Sequence, residues 1–388
     1  MNRKEFLTHF AMAGTAAMMI PALAKASVFG FGQNNRIKVG IIGCGSVSGV
    51  YLPHLTKSPH VEVVSVCDIK PERARARAEE FKVPNQYPHI DQLLAGADFQ
   101  LLVNLTDMQE HGRLNKLAVQ KGKHIWSEKP LANSYEEGAA LLQLAEKNKV
   151  RIWGAPAVVN SPQFAFMARQ INEGKLGKVA AAHAHYGHLG PTWSAFFYEK
   201  LGGSLPDLGV YNLTTLSGLL GPVKSVVAMT NILTPERTVD DKGKIKVEAE
   251  DNASVLMEHG SGAISHVMSG FNYFDPYGHE GTGQDKPTIS LVGTKGAMHL
   301  IGYDWMPFAV EMATIDHEKP QRFATDTKEY VWQEGASEIS QALLEGYDPL
   351  INVEHSLHVL EIIEAARKSQ QEGKRIQLKS VFPYPVIK

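Results

Sequence analysis

"I-K-V-G-I-I-G-C-G-S-V-S-G", residues 37–49, decides the fold. Ile37 to Ile42 is an apolar, β-branched run without polar alternation, the pattern of a strand buried on both faces. It runs into Gly43-Cys44-Gly45-Ser46-Val47-Ser48, after which "GVYLPHL" reads as a helix. Strand, glycine turn and helix in that order form the unit in which Gly43 makes the tight turn. Gly45 lets the backbone approach a pyrophosphate at the helix N-terminus, with Ser46 and Val47 completing the turn. Ser48 takes the third position, where a small residue is needed for helix–strand packing. Asp68 closes the next strand, "VEVVSVC" (61–67), where an acid accepts both hydroxyls of a ribose. Its charge repels a 2′-phosphate, so NAD(H) is expected over NADP(H), although Lys70 lies close by in sequence. The bland reading of Asp68 is an N-cap for the helix that starts at Pro71, and one residue is able to do both.

Working outward, "PERARARAEEF" is a helix, "QLLVNL" (100–105) and "KHIW" (123–126) are apolar strands, and "NKLAVQKG" is a helix that ends at Gly122. "YEEGAALLQLAEKN" and "VRIWGAP" add a helix and a strand. Alternating β and α with fully apolar strands implies an α/β domain, a doubly wound parallel sheet over residues 36–155. From 156 to about 380 the style changes. "AAHAHYGHL", "VKSVVAMTNIL", "ASVLMEHGSGAISHVMSGF" and "TISLVGTKGAMHLIG" alternate around glycine-rich turns, and "SLHVLEIIEAARKSQQEG" is a closing helix. An α+β domain with a large, mostly antiparallel, open sheet is expected.

The chain has 388 residues, a formal charge of −2 and two cysteines, Cys44 and Cys67. Interspersed charges argue against a nucleic-acid partner, and two cysteines in strand-like context make neither a disulfide framework nor a structural zinc site. Residues 1–26 read separately: a basic start, the apolar "AMAGTAAMMIPAL", then Ala24-Lys25-Ala26 as a cleavage pattern. Arg3-Lys4-x-Phe6-Leu7 resembles a bacterial twin-arginine signal with lysine in the second place. Export to the periplasm is expected, with no lasting membrane insertion. An amphipathic N-terminal helix of the mature chain is the alternative.

Gly43-x-Gly45, Asp68, "NLTDMQEH" ending in His111, and Glu128-Lys129-Pro130 resemble the Gfo/Idh/MocA family of oxidoreductases. The resemblance continues through "INEGKLGKV" (171–179), "GGSLPDLGVYNLTTLSGLLGPV" (202–223) and "ISLVGTKGAMHL" (289–300), so it covers nearly the whole mature chain. It implies that Lys129 lies beside the nicotinamide and contacts the substrate hydroxyl or carbonyl. Thr106, His111 and Glu128 then belong to the cofactor's surroundings, Glu128 and Pro130 fixing the turn, with a cis bond expected before Pro130. A partly desolvated amine beside a cationic ring gives up its proton more readily and polarises an alcohol as hydride leaves. For His111 a helix-surface position is the plain alternative.

The family's D-x-G-x-H-x-x-D segment is changed here: Asp207 is kept, Tyr211 stands for the histidine and Thr214 for the last acid. Residues 207 and 211 share a helix face, so Tyr211 is expected to replace the histidine, its phenol acidified by Lys129 and oriented by Asp207. Simple packing is the other reading. In "HAHYGHLGPTWSAFFYE" (183–199), His183, His185 and His188 raise a metal reading that lacks an acidic partner, and no metal is expected. His185, Trp193 and Tyr198 are candidate substrate contacts: Trp193, Phe196, Phe197 and Tyr198 are expected to form a sugar-stacking wall, with simple core packing as the other reading. "YGHEGTGQD" (277–285) reads as a glycine-rich loop at the same mouth.

These readings converge on an exported NAD-dependent oxidoreductase. It would act on a secondary hydroxyl of a sugar, glycoside or cyclitol, with a tightly bound cofactor because free NAD is scarce outside the cytoplasm. The alternatives are glycoside cleavage through a transient ketone on bound NAD, and a sugar-binding or regulatory protein with a dead site. The open sheet implies a homo-oligomer, a dimer or tetramer.

Overall fold

A computed structural model describes residues 36–276, 285–325 and 330–387; the stretch expected to be an export signal, residues 1–26, and all of the 277–285 loop but Asp285 lie outside the described residues. The first sheet comprises β1 (Ile37–Ile42), β2 (Val61–Cys67), β3 (Asn85–Tyr87), β4 (Leu101–Asn104), β5 (His124–Ser127) and β6 (Ile152–Gly154). The strands are all parallel and lie in the order β3-β2-β1-β4-β5-β6. The order reverses between β1 and β4, beside the turn that follows β1, which is where a doubly wound sheet opens a crevice for ligands. Helices α1 (Ser48–Leu55), α2 (Pro71–Phe81), α3 (Ile90–Gly96), α4 (His111–Gln120) and α5 (Tyr135–Lys147) join the strands. Pro71 occupies the first turn of α2, where a missing N–H costs nothing.

The second domain opens with α6 (Pro162–Asn172), β7 (Val179–Gly187) and α7 (Val210–Leu220). It continues with β8 (Val223–Asn231), a small hairpin of β9 (Glu236–Val239) and β10 (Gly243–Lys246), then β11 (Asn252–His259) and β12 (Ile264–Gly270). The next four strands are β13 (Pro287–Gly293), β14 (Gly296–Tyr303), β15 (Met306–Thr314) and β16 (His317–Phe323). Helices α8 (Gly335–Glu345) and α9 (Val353–Glu372) and strand β17 (Ile376–Gln377) complete the chain. Nine strands pair as β16-β15-β14-β13-β7-β12-β11-β8-β17, antiparallel except where β7 meets β12. Helices α6, α7 and α9 pack on one face. The other is open and carries Val227, Met229, Leu256, Ile264 and Val292, all exposed.

Two helices, α3 and α8, escaped the sequence reading. α8 returns to the first domain and packs on β1, β5 and α1. α9 does more than close its own domain: it lies against α5 and β6 on one side and α7 and β8 on the other. Among the described residues no helix is long and apolar enough to cross a membrane.

Candidate active site

The turn after β1 has the shape a dinucleotide needs. Gly43 takes φ +94, and a Cβ there would run into the carbonyl of Leu105. Its N–H donates to the Cys67 carbonyl at 2.9 Å, tying the turn to the end of β2. Gly45 faces open space except for the Arg73 guanidinium, 3.6 Å from where its Cβ would lie. Val47 precedes α1 without a side-chain cap; Gly49 N and Val50 N already donate to the Ser46 and Val47 carbonyls at 3.0 and 3.1 Å, so the turn's own N–H groups ahead of them are the ones to meet a ligand. Ser46 is exposed above them. Ser48, buried, donates to the Gly45 carbonyl at 2.7 Å and accepts from Arg77 Nε at 3.0 Å. A cradle closed to side chains, an uncapped helix start and nearby guanidinium groups fit an anionic pyrophosphate.

Asp68 is buried at the end of β2; its Oδ2 accepts from Cys44 N and its Oδ1 from Lys70 N, both at 2.8 Å. It is not the cap of α2, because Lys70 holds that position. Each oxygen keeps a lone pair for a ribose hydroxyl. Burial and the Asp68 charge push both the Cys44 and Cys67 thiols up to about 12, so neither is a nucleophile.

Across the crevice, the Lys129–Pro130 peptide bond is cis. Glu128 turns inward, where Oε1 accepts from Tyr51 Oη at 2.6 Å and Oε2 from Lys129 N at 3.1 Å. Trp126 Nε1 in turn donates to Tyr51 Oη at 3.1 Å. The glutamate is thus occupied in fixing the loop. His111 is no surface residue: it is 1% exposed at the start of α4, its Nδ1 2.7 Å from the Pro130 carbonyl and Nε2 2.9 Å from the Thr106 carbonyl. It pins the two loops to each other. Thr106 Oγ1 donates to Asn104 Oδ1 at 2.7 Å. Asn104 and Asn115 extend this network to Ser127 beneath the loops, and no periodicity singled them out.

These supports leave one side chain projecting. Lys129 Nζ donates to the Asp207 carbonyl and to Asp207 Oδ1, both at 2.7 Å, in a pair 12% exposed on each side. An ammonium has three donors, so one remains. Asp207 sits in a π-helical turn, Leu205–Gly209, that leads into α7. Such wide turns recur at functional sites. Tyr211 follows on α7 with its ring 5.1 Å from Lys129 Nζ. The expected acidification is reversed. Burial, then the charges of Glu128, Asp207 and Asp304, raise the phenol well above its usual range, because Lys129 is already matched by Asp207.

The other candidates separate. β7 turns Tyr186 toward α7, 6.1 Å from the Tyr211 ring, so His185 points from the opposite face and stacks on His183. His188 accepts from Gly190 N at 3.0 Å. The three histidines do not converge, and among the described residues no three His, Cys, Asp or Glu side chains do. Tyr198 is core, its hydroxyl bound to the Pro191 carbonyl at 2.7 Å. Trp193 is exposed and packs edge-on against Phe197 at 4.7 Å. Its neighbour Phe196 accepts from Gln109 Nε2 at 2.8 Å, which joins this stretch to the loop after Thr106. An aromatic wall missed in the sequence runs Tyr186, Tyr303, Trp305, Trp332, Tyr51, with successive centroids 4.5, 5.8, 6.5 and 5.9 Å apart.

A dinucleotide cradle facing a lysine–aspartate pair across the crevice defines a nucleotide-dependent oxidoreductase. Residues 37–155 match the family described as "Oxidoreductase family, NAD-binding Rossmann fold", and residues 164–299 match "GFO/IDH/MocA C-terminal domain". The chain belongs to the Gfo/Idh/MocA oxidoreductases. It is similar to inositol 2-dehydrogenase of Rhizobium meliloti, 23% identical over 88% of this chain and 99% of that one. It is also similar to D-apiose dehydrogenase of Paraburkholderia graminis, 23% identical over 89% and 91%. Among solved structures, the WlbA dehydrogenase of Bordetella pertussis in complex with NADH and UDP-GlcNAcA shares the fold. Its TM-score is 0.71 at 20% identity, covering 88% of this chain and 99% of that one.

Proposed function

We propose that this oxidoreductase transfers hydride between NAD and a secondary hydroxyl of a sugar, glycoside or cyclitol. The observation that carries the reading is the Lys129 ammonium, fixed twice by Asp207 with one donor left to face the crevice. Bound nicotinamide supplies the hydride acceptor. Lys129 first passes one proton to Asp207 Oδ1, 2.7 Å away, and the neutral amine then accepts the proton of the reacting alcohol oxygen as hydride leaves the carbon, so that the ammonium is restored. Tyr211, held as a phenol, donates a second hydrogen bond to the same oxygen. Trp305 and Trp332, the half-buried rings of the aromatic wall, offer flat apolar surface to sugar C–H faces, while Tyr186, Tyr303 and Tyr51 are buried. Relatives named for inositol and D-apiose support a polyol substrate.

Asp68 favours NAD over NADP, and the cofactor is held through the catalytic cycle. The mature enzyme is exported, its N-terminus lying near Ser27, and a second copy of the chain covers the open sheet. The test is to purify the protein gently from its native host, release the cofactor with acid and identify it by mass, then add myo-inositol to the untreated protein. Bound NAD that becomes reduced on addition of a polyol is expected. A protein that carries no nicotinamide nucleotide and binds none overturns the reading.

A further inference from the structure

Asp304 occupies the two-residue turn between β14 and β15, only 2% exposed, at the back of the candidate site. Its Oδ2 accepts from Asn212 Nδ2 at 3.1 Å and Thr215 Oγ1 at 2.9 Å, the residues that follow Tyr211 along α7. Oδ1 is buried with no partner among the described residues. An aspartate with one unmatched buried oxygen carries an unmet desolvation cost. Two neutral donors on one oxygen do not require a charge, and an asparagine in that place would accept the same two bonds.

The groups that face Asp304 are Tyr211 from α7, Tyr303 from the end of β14, and Tyr330 from the segment before α8. All three feel its charge. Tyr330 feels the charge of Glu334 more than that of Asp304, and Tyr211 those of Glu128 and Asp207. Burial raises the Asp304 carboxyl, against the side-chain donors of Thr215 and Asn212 and the backbone N–H groups of Asp304 and Trp305, which favour its charge.

We infer that Asp304 is a positioning residue that governs Tyr211: hung from the same helix and buried behind it, it sets by its own charge how strongly the phenol donates to the reacting oxygen. Ionised, Asp304 holds the phenol proton more tightly. Neutral, it makes Tyr211 the stronger donor, which favours reduction of a bound carbonyl. The inference rests on the reading of Tyr211 as a site residue but requires no substrate to test.

Burial moves Asp304 up to about 6, within reach of ordinary titration. The full chain, labelled with carbon-13 at the tyrosine Cζ, is titrated by NMR from about pH 4 to 8, with Tyr211→Phe identifying the Tyr211 resonance. That resonance should shift with a midpoint near 6. The step should vanish in Asp304→Asn. In Thr215→Val it should persist with its midpoint moved to higher pH, because a donor to the carboxylate is gone. A Tyr211 resonance flat through this range in the wild type, or unchanged in Asp304→Asn, overturns the inference. If the titration behaves as stated while Lys129→Met turns over normally, the functional reading fails and the coupling stands.

Discussion

Lys129, Asp207, Asp68 and Tyr211 divide the work at the scale of single residues. Asp68 ends its strand with both oxygens drawn to backbone N–H groups of the turn, at 2.8 Å each, so its charge faces the place where a ribose lies. Truncation to alanine would leave those donors unmet, at about 1–3 kcal/mol each, and confound the result. Asp68→Asn keeps an acceptor and removes the charge. The ratio of NADP to NAD affinity should rise at least ~10-fold, since a unit charge a few ångströms from a phosphate is worth more than 1 kcal/mol. Isothermal titration with each nucleotide measures it, and an unchanged ratio removes Asp68 from cofactor selection. Tyr211 shows what residue identity does not reveal. Its place after Asp207 was legible, but its acidity depends first on burial and then on the charges of Glu128, Asp207 and Asp304, the last 93 positions away.

At the scale of elements, the β1–turn–α1 unit was legible because strand period, positive-φ glycine and helix start are all local. Gly43→Ala should both strain the φ +94 position and drive a methyl into the Leu105 carbonyl. A loss of more than ~1 kcal/mol in denaturant unfolding is expected, with NAD affinity falling in parallel. An alanine variant with wild-type stability and affinity would contradict the account of the turn. The faces of β7 were not legible. Alternation places His183 and His185 together, as expected, but which face meets α7 is decided by the neighbouring strands β12 and β13. Tyr186 therefore took the place expected for His185. Trp305 and Trp332 stayed hidden for the same reason: they meet only when the β14–β15 turn and the segment before α8 come together. Burial of β1, β4 and β5 on both faces was readable from composition, whereas the partners of α8 were not.

For the molecule as a whole, α9 is the seam between domains, and it carries two buried neutral histidines. His358 Nε2 accepts from Val223 N at 2.8 Å, which requires that nitrogen to be unprotonated, and His355 lies 2.8 Å from Ser217 Oγ. Burial first, then a neighbouring histidine, lowers His355 to about 3 and His358 to about 4. The unfolded value is near 6.5, so their contribution is complete above about pH 6.5 and is lost as pH falls toward 4. Urea unfolding should therefore weaken across that window by up to about 1.4 kcal/mol per pH unit for each histidine. His355→Gln should make the slope shallower, and a stability flat from pH 7 to about 4 would show that α9 is not held to α7 and β8 by neutral imidazoles.

The central claim is that Lys129, held by Asp207 across the crevice from the glycine turn, acts on the reacting oxygen. Lys129→Met keeps the length of the side chain and leaves the cradle of Gly43, Gly45 and Asp68 untouched. The decisive measurement is single-turnover reduction of bound NAD by a polyol that the wild-type enzyme oxidises, with NAD affinity measured on the same samples. The account predicts near-normal NAD binding and a hydride-transfer rate reduced at least ~10²-fold, the scale of losing a positioned proton-transfer group. A Lys129→Met enzyme that transfers hydride at the wild-type rate would contradict it.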